Sequence, residues 1–166
     1  MEGILGRIIA TLLGLLALVG LGYASYSGFQ NSKANTVVTD ISQVITNART
    51  GFAQGNTGYT NFTTANIASL VSAGVFPTDM VRGSSVLDPW GNAVTLASAN
   101  SGTQGVITFG GGGSESIKAC SAVATGLKDY VTLTVGGTSF TQASPPDAAT
   151  AGTACAAGLG FSVTFQ

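Results

Sequence analysis

Histidine is absent from the chain, which removes in one step the commonest general base and the commonest metal ligand. Charge is scarce as well: 8% of residues are charged, six basic against seven acidic, for a formal net charge of -1. No basic stripe exists, so the attraction that drives nucleic-acid binding is missing. No two carboxylates are closely spaced, and no Ser or Cys stands beside a base in a known catalytic motif, so the chain is read as a non-enzyme with no cofactor and no metal. Asp79, Asp88, Asp129 and Asp147 are isolated in sequence, each the pattern of a turn or solvated residue, and no DxDxDG run supports a calcium loop. The glycines Gly110 to Gly113 are not followed by Lys in GK[ST] spacing, which makes them a turn before a helix rather than a phosphate cradle.

Cysteine is nearly absent too. Cys120 and Cys155 lack CxxC spacing and have no histidine to complete a zinc site. In an exported chain they are expected to form a disulfide.

Against these absences stands one apolar run. From Ile8 to Ala24 there is no charge, and Leu, Ile, Val, Ala and Gly dominate. As a helix this run is about 25 Å long, short of a hydrocarbon core of about 30 Å, but Arg7 can snorkel and Tyr23 and Tyr26 suit the far interface. A secretory signal peptide expects a basic start and a small-residue cleavage site. Here Glu2 precedes the only nearby base, Arg7, and the helical pattern continues beyond the run, so the segment reads as a retained helix. No leader stands ahead of Met1, the pattern of a processed chain. Downstream, Ala34, Val37, Val38, Ile41, Val44, Ile45, Ala48 and Phe52 recur at steps of three and four, with Asp40, Gln43, Asn47 and Arg49 placed off the stripe. One helix of about fifty residues follows, apolar all round at first and amphipathic later, ending near Gly51 to Gly55. Residues 1–28 are then a membrane or filament-core segment, and 29–166 carry the second half of the helix and a globular portion. Positions five apart do not face each other on a helix, so Glu2 and Arg7 look to outside partners. Glu2 is expected to pair with the terminal ammonium or Arg7 of a neighbouring copy, or else to complement the helix dipole. Gly14, Gly20 and Gly22 allow close helix approach and local unwinding.

In the globular portion Thr63 or Thr64 is expected to cap a short helix over Ile67 to Val71, stopped by Gly74 and Pro77. A turn at Asp88-Pro89-Trp90-Gly91 leads into the strands "NAVTLAS" and "GVITFGG", with Trp90 a packing anchor. "SESIKACSAVATGL" reads as a helix with Ser114 near its cap and Glu115 in its first turn, "YVTLTV" and "FSVTF" as strands, and "ASPPDAATAGTAC" as an exposed loop. The order gives an α+β fold, an antiparallel sheet against the back half of the long helix.

The segments "MEGILGRIIATLLGLLALVGLG", "NIASLVSAGVFPTDM" and "LDPWGNAVTL" and the late pair Cys120 and Cys155, in that order, resemble a bacterial type IV pilin, and within that group the type IVb and conjugative thin-pilus major pilins. The resemblance implies a type IV pilin-like fold and a structural subunit that polymerises with copies of itself. Adhesion, conjugation or motility would be properties of the polymer. It also implies removal of a leader by prepilin peptidase, methylation of Met1, passage through the inner membrane and the pilus assembly machinery, and an extracellular pilus as destination. The family's acid sits at the fifth mature position whereas here it is Glu2, and Arg7 is unusual in the apolar segment. Either the register is shifted or the processed start differs from Met1. "LDPWGNAV" also resembles type II secretion pseudopilins, whose major subunits carry a late acidic calcium loop where this chain is acid-poor. A monomeric membrane-anchored binding domain is the remaining alternative.

Overall fold

The computed structural model describes residues 28–52, 55 and 57–166. The apolar run and the residues assigned to assembly and flexibility, Met1, Glu2, Arg7, Gly14, Gly20 and Gly22, lie outside these. Among the described residues no helix is long and apolar enough to cross a membrane.

Helix α1 occupies 28–52. Its stripe is buried as the spacing requires, with Ala34, Val37, Ile41, Val44, Ile45 and Ala48 almost wholly covered. Each buried Val or Ile contributes about 1.5–3 kcal/mol over an exposed one, so the stripe fixes which face of the helix meets the rest. One correction concerns Asp40, placed off the stripe by sequence but only 5% exposed. Position 40 is three after Val37 and four before Val44, which puts it on the covered flank.

The cover is a five-stranded sheet. Strands β3 (Thr95–Ala99), β4 (Gln104–Gly110), β5 (Thr132–Val135), β6 (Thr138–Thr141) and β7 (Gly160–Phe165) lie in the order β3-β4-β7-β5-β6, and every pair is antiparallel. The last strand sits in the middle. Phe161, Val163 and Phe165 alternate inward from it, and the register sets Phe109 opposite Phe161 and Ile107 opposite Val163. The first pair stacks with ring centroids 4.9 Å apart. Phe165 also meets Tyr59 and Phe62 edge-on, while Phe62 makes the same contact with Phe52 near the end of α1, so sheet, loop and long helix share one core.

Two elements escaped the sequence reading. Strand β6 pairs with β5 through Gly136-Gly137, both at positive φ, the backbone that a two-residue hairpin demands. A small hairpin of β1 (Val81–Arg82) and β2 (Ser85–Val86) precedes the Asp88 turn. Two expectations are overturned. The stretch read as an exposed loop contains helix α4, Ala148–Ala157. Its Asp147 carboxylate accepts the Thr150 amide while the Thr150 hydroxyl accepts the Asp147 amide, a reciprocal cap that overrides loop-like composition. Helix α2, Ile67–Ser72, forms as expected but has no side-chain cap. Thr64 instead turns its hydroxyl to β3, donating to the Leu96 carbonyl and accepting the Leu96 amide.

Helix α3 covers Ile117–Gly126. Cys120 on α3 and Cys155 on α4 form the expected disulfide, with Cα atoms 5.9 Å apart. Substituting both cysteines by Ala is predicted to cost roughly 4 kcal/mol, the chain-entropy value for a loop of this size. Urea denaturation of oxidised and variant protein checks this, and equal midpoints would contradict it.

Candidate functional site: the junction of helix and head

Among the described residues the long helix is fastened to the head by polar groups as well as by its apolar stripe, and the residues that do so are the candidate site. At the entry end the fastening is polar and buried. Gln30, 2% exposed, stands four residues before Ala34, on the stripe itself. Its amide nitrogen donates to the Ser114 carbonyl at 2.8 Å, and its amide oxygen accepts the Trp90 indole N–H at 3.0 Å. Both halves of the amide are satisfied, so the pairing costs no orphaned group.

Trp90 is held in turn by Asp88. This carboxylate was read as a turn or solvated residue; it is a turn residue, but 5% exposed. Oδ1 accepts the Trp90 and Asn92 amides, each at 2.9 Å, and Oδ2 accepts the Asn92 side chain at 2.9 Å and the Gly110 amide at 3.0 Å. Four nitrogen atoms of loop and strand end are thus oriented around one carboxyl group, an arrangement that Pro89 and Gly91 make possible by tightening the turn.

The glycine run folds around a second carboxylate. Glu115 was expected in the first turn of α3, with Ser114 as cap. The cap is Ser116, whose hydroxyl accepts the Ala119 amide, and Glu115 reaches back so that Oε2 accepts the Gly111 and Gly112 amides at 2.8 and 3.2 Å. Gly110 and Gly111 take φ of +72° and +90°, the backbone that aims consecutive N–H groups at one anion. Oε1 is buried without a partner. Burial pushes the Glu115 carboxyl up to about 7, the Gly111 amide opposes this, and the Asp88 carboxylate adds to it.

The far end of α1 is fastened by Asn47, which donates to the Gly74 and Val75 carbonyls at 3.2 Å. Arg49 donates to the carbonyls of Gln166 and Asp129 at 2.8 and 2.9 Å. These polar residues were placed off the apolar stripe, and so they are; they flank it and reach around it. Gln30, Asp88, Asn47 and Arg49 were not singled out as functional from sequence. For Gln30 a signal existed, a polar residue in phase with the apolar stripe.

Two outcomes follow. Asp88→Ala strips the acceptor from several buried amides and is predicted to destabilise the head by roughly 3 kcal/mol. The emission of Trp90, the single tryptophan, should move to the red with it; unchanged emission and stability would contradict the network. Glu115 binds a proton more readily folded, near 7, than unfolded, near 4.5. Its contribution is therefore complete below pH 4.5 and lost as pH rises through 7. Urea midpoints of detergent-solubilised protein should fall across that window more steeply than those of Glu115→Gln, and parallel curves would contradict the assignment.

The arrangement offers no nucleophile with a base, and what it does is hold a helix. Comparison with known proteins agrees. The family model PilS, described as PilS N terminal, matches residues 31–165. Among solved structures, the type IV b pilin from Salmonella typhi is similar at a TM-score of 0.54 and 19% identity, covering 84% of this chain and 97% of that one. That likeness concerns the fold. No curated protein matches. The long helix, the antiparallel sheet and a family match over most of the chain lead to one conclusion: this chain belongs to the PilS N-terminal family of type IV pilins, with the α+β fold of a type IVb pilin, and is a structural subunit rather than an enzyme.

Proposed function

We propose that the chain is the major subunit of a type IVb pilus and polymerises through its N-terminal apolar helix. The observation that carries the reading is how α1 is divided. From Gln30 onward its stripe is sealed under the head, whereas Phe29, one residue earlier, is 59% exposed and continues toward the uncharged run from Ile8 to Ala24. A sequence this apolar has to be covered by lipid or by protein. Before assembly the inner membrane supplies the cover; afterwards identical copies do, and the head stays on the outside. Prepilin peptidase, methylation of Met1 and the pilus assembly machinery belong to this reading, as does a role for the filament in cell contact, conjugation included.

Within it Glu2 pairs with the terminal ammonium or Arg7 of a neighbour, and apolar surroundings make that pairing selective. Gly14, Gly20 and Gly22 let the helices approach closely. The late calcium loop of a pseudopilin has no counterpart in Asp147, whose carboxylate caps α4, and this favours the pilus. Cells producing the chain with its assembly machinery are expected to shed long filaments on shearing, seen by electron microscopy. Glu2→Ala should reduce filament yield by an order of magnitude or more, about the effect of leaving one buried charge unpaired. Wild-type yield in that variant would remove Glu2 from assembly, and a wild-type chain that forms no filaments would remove the polymer.

A further inference from the structure

The subunit carries two electrostatic misfits of opposite sign on different elements. The negative one is a cleft of ≈ 380 Å³ between α1 and the turns on either side of the β1–β2 hairpin, lined by Thr36, Asp40, Asp79, Arg82 and Asp88 among others. Asp40 is 5% exposed, and its Oδ2 has no hydrogen-bond partner. Burial pushes Asp40 up to about 6, and the charged neighbour that adds to this is another carboxylate, Asp79. Two carboxylates facing one space favour a cation there. Asp88 is not available for the purpose, because its oxygens already accept the Trp90, Asn92 and Gly110 amides. Arg82 donates instead to the carbonyl of Val81 in its own strand, at 2.9 Å.

The chemistry of the cleft narrows the cation. Calcium takes six to eight oxygens, and no group of three acidic or other metal-binding side chains occurs among the described residues. A compact ammonium with three donors asks for less. The positive misfit supplies one. Lys118 is exposed at the second residue of α3, where a cation opposes the helix dipole. Beside it Ile117 is 52% exposed, one of two large apolar side chains so uncovered among the described residues. Lys118 does not line the cleft of its own subunit.

We propose that the Asp40–Asp79 cleft of one subunit receives Lys118 of the next copy, with Ile117 packing at its rim. A contact between two different patches of the same molecule does not close on itself and repeats without limit, the geometry of an open helical assembly. The proposal rests on the polymer reading and adds to it a contact between heads, separate from the apolar helices. It also explains why two unfavourably placed charges stand on a surface with so few charges.

Sheared filaments of full-length protein, treated with a carbodiimide that joins amines to carboxylates without a spacer, test it. Mass spectrometry should find the Asp79 peptide joined to the Lys118 peptide, and Asp79→Asn should abolish that product. Lys118→Gln and Asp79→Asn should each lower filament yield on the order of tenfold, and the exchange of charges in Asp79→Lys with Lys118→Asp should recover most of it. Wild-type filaments without the joined peptide, or normal yield in both single variants, would overturn the contact while leaving the polymer intact. Dissociation by a chelator together with indifference to Lys118→Gln would overturn it in favour of a divalent ion. A wild-type chain that forms no filaments would take down the polymer and this contact together.

Discussion

A helix with one apolar stripe has to be covered along that stripe, and here the cover is a sheet whose inner face has no other helix as long to lie on among the described residues. Ile41, Val44 and Ile45 of α1 belong to the same continuous core as Ile107, Phe109, Val163 and Phe165 of the sheet. Neither layer is stable with its apolar face in water. The order of strands follows from the same need. Bringing β7 to the centre places Phe161, Val163 and Phe165 where both halves of the sheet can pack on them, and it leaves the chain end beside Arg49 of α1.

Burial alone would not set the helix at one depth or one rotation, because apolar contacts are poorly directional. The polar fastenings do that. Gln30 accepts one particular indole and donates to one particular carbonyl, and a shift of α1 by a single residue would bury its amide unpaired. Asp88 and Glu115 extend the same logic into the loops, each arranging backbone N–H groups around a carboxylate. The disulfide between α3 and α4 closes the head on its other side. The result is a described part of α1 and a head that share one core and are joined by specific hydrogen bonds.

Periodicity made the long helix, the fold class and most of the strands readable in the sequence, because burial on one face imposes a repeat of 3.6 or 2 that composition cannot hide. The disulfide was readable as well, since two cysteines allow one pairing. What escaped reading depended on specific partners. Apart from Cys155, helix α4 is built from Ala, Thr and Gly in a segment that follows two prolines, and its start is fixed by a local Asp147–Thr150 exchange that composition does not register. Strand β6 is four residues long and announces itself only by Gly136-Gly137. Asp88 read as a turn or solvated residue and Glu115 as a first-turn residue of α3, because a carboxylate that folds back on amides two to four residues away leaves no periodic signature, and the Gly110 amide that Asp88 also accepts lies 22 residues along the chain. Asp40 was misplaced by treating the stripe as narrower than it is. Gln30 was passed over since a polar side chain in phase with apolar ones invites no attention until its partners are known.

A reconstruction of the filament at side-chain resolution tests the central claim most directly. The account predicts that residues 8–24 of each subunit are enclosed by the same segments of other copies, while Gln30 still bridges Trp90 and Ser114 and the head keeps its place on α1. Filaments held together by head contacts alone, with that apolar segment facing water, or heads that have turned away from Gln30, would contradict it.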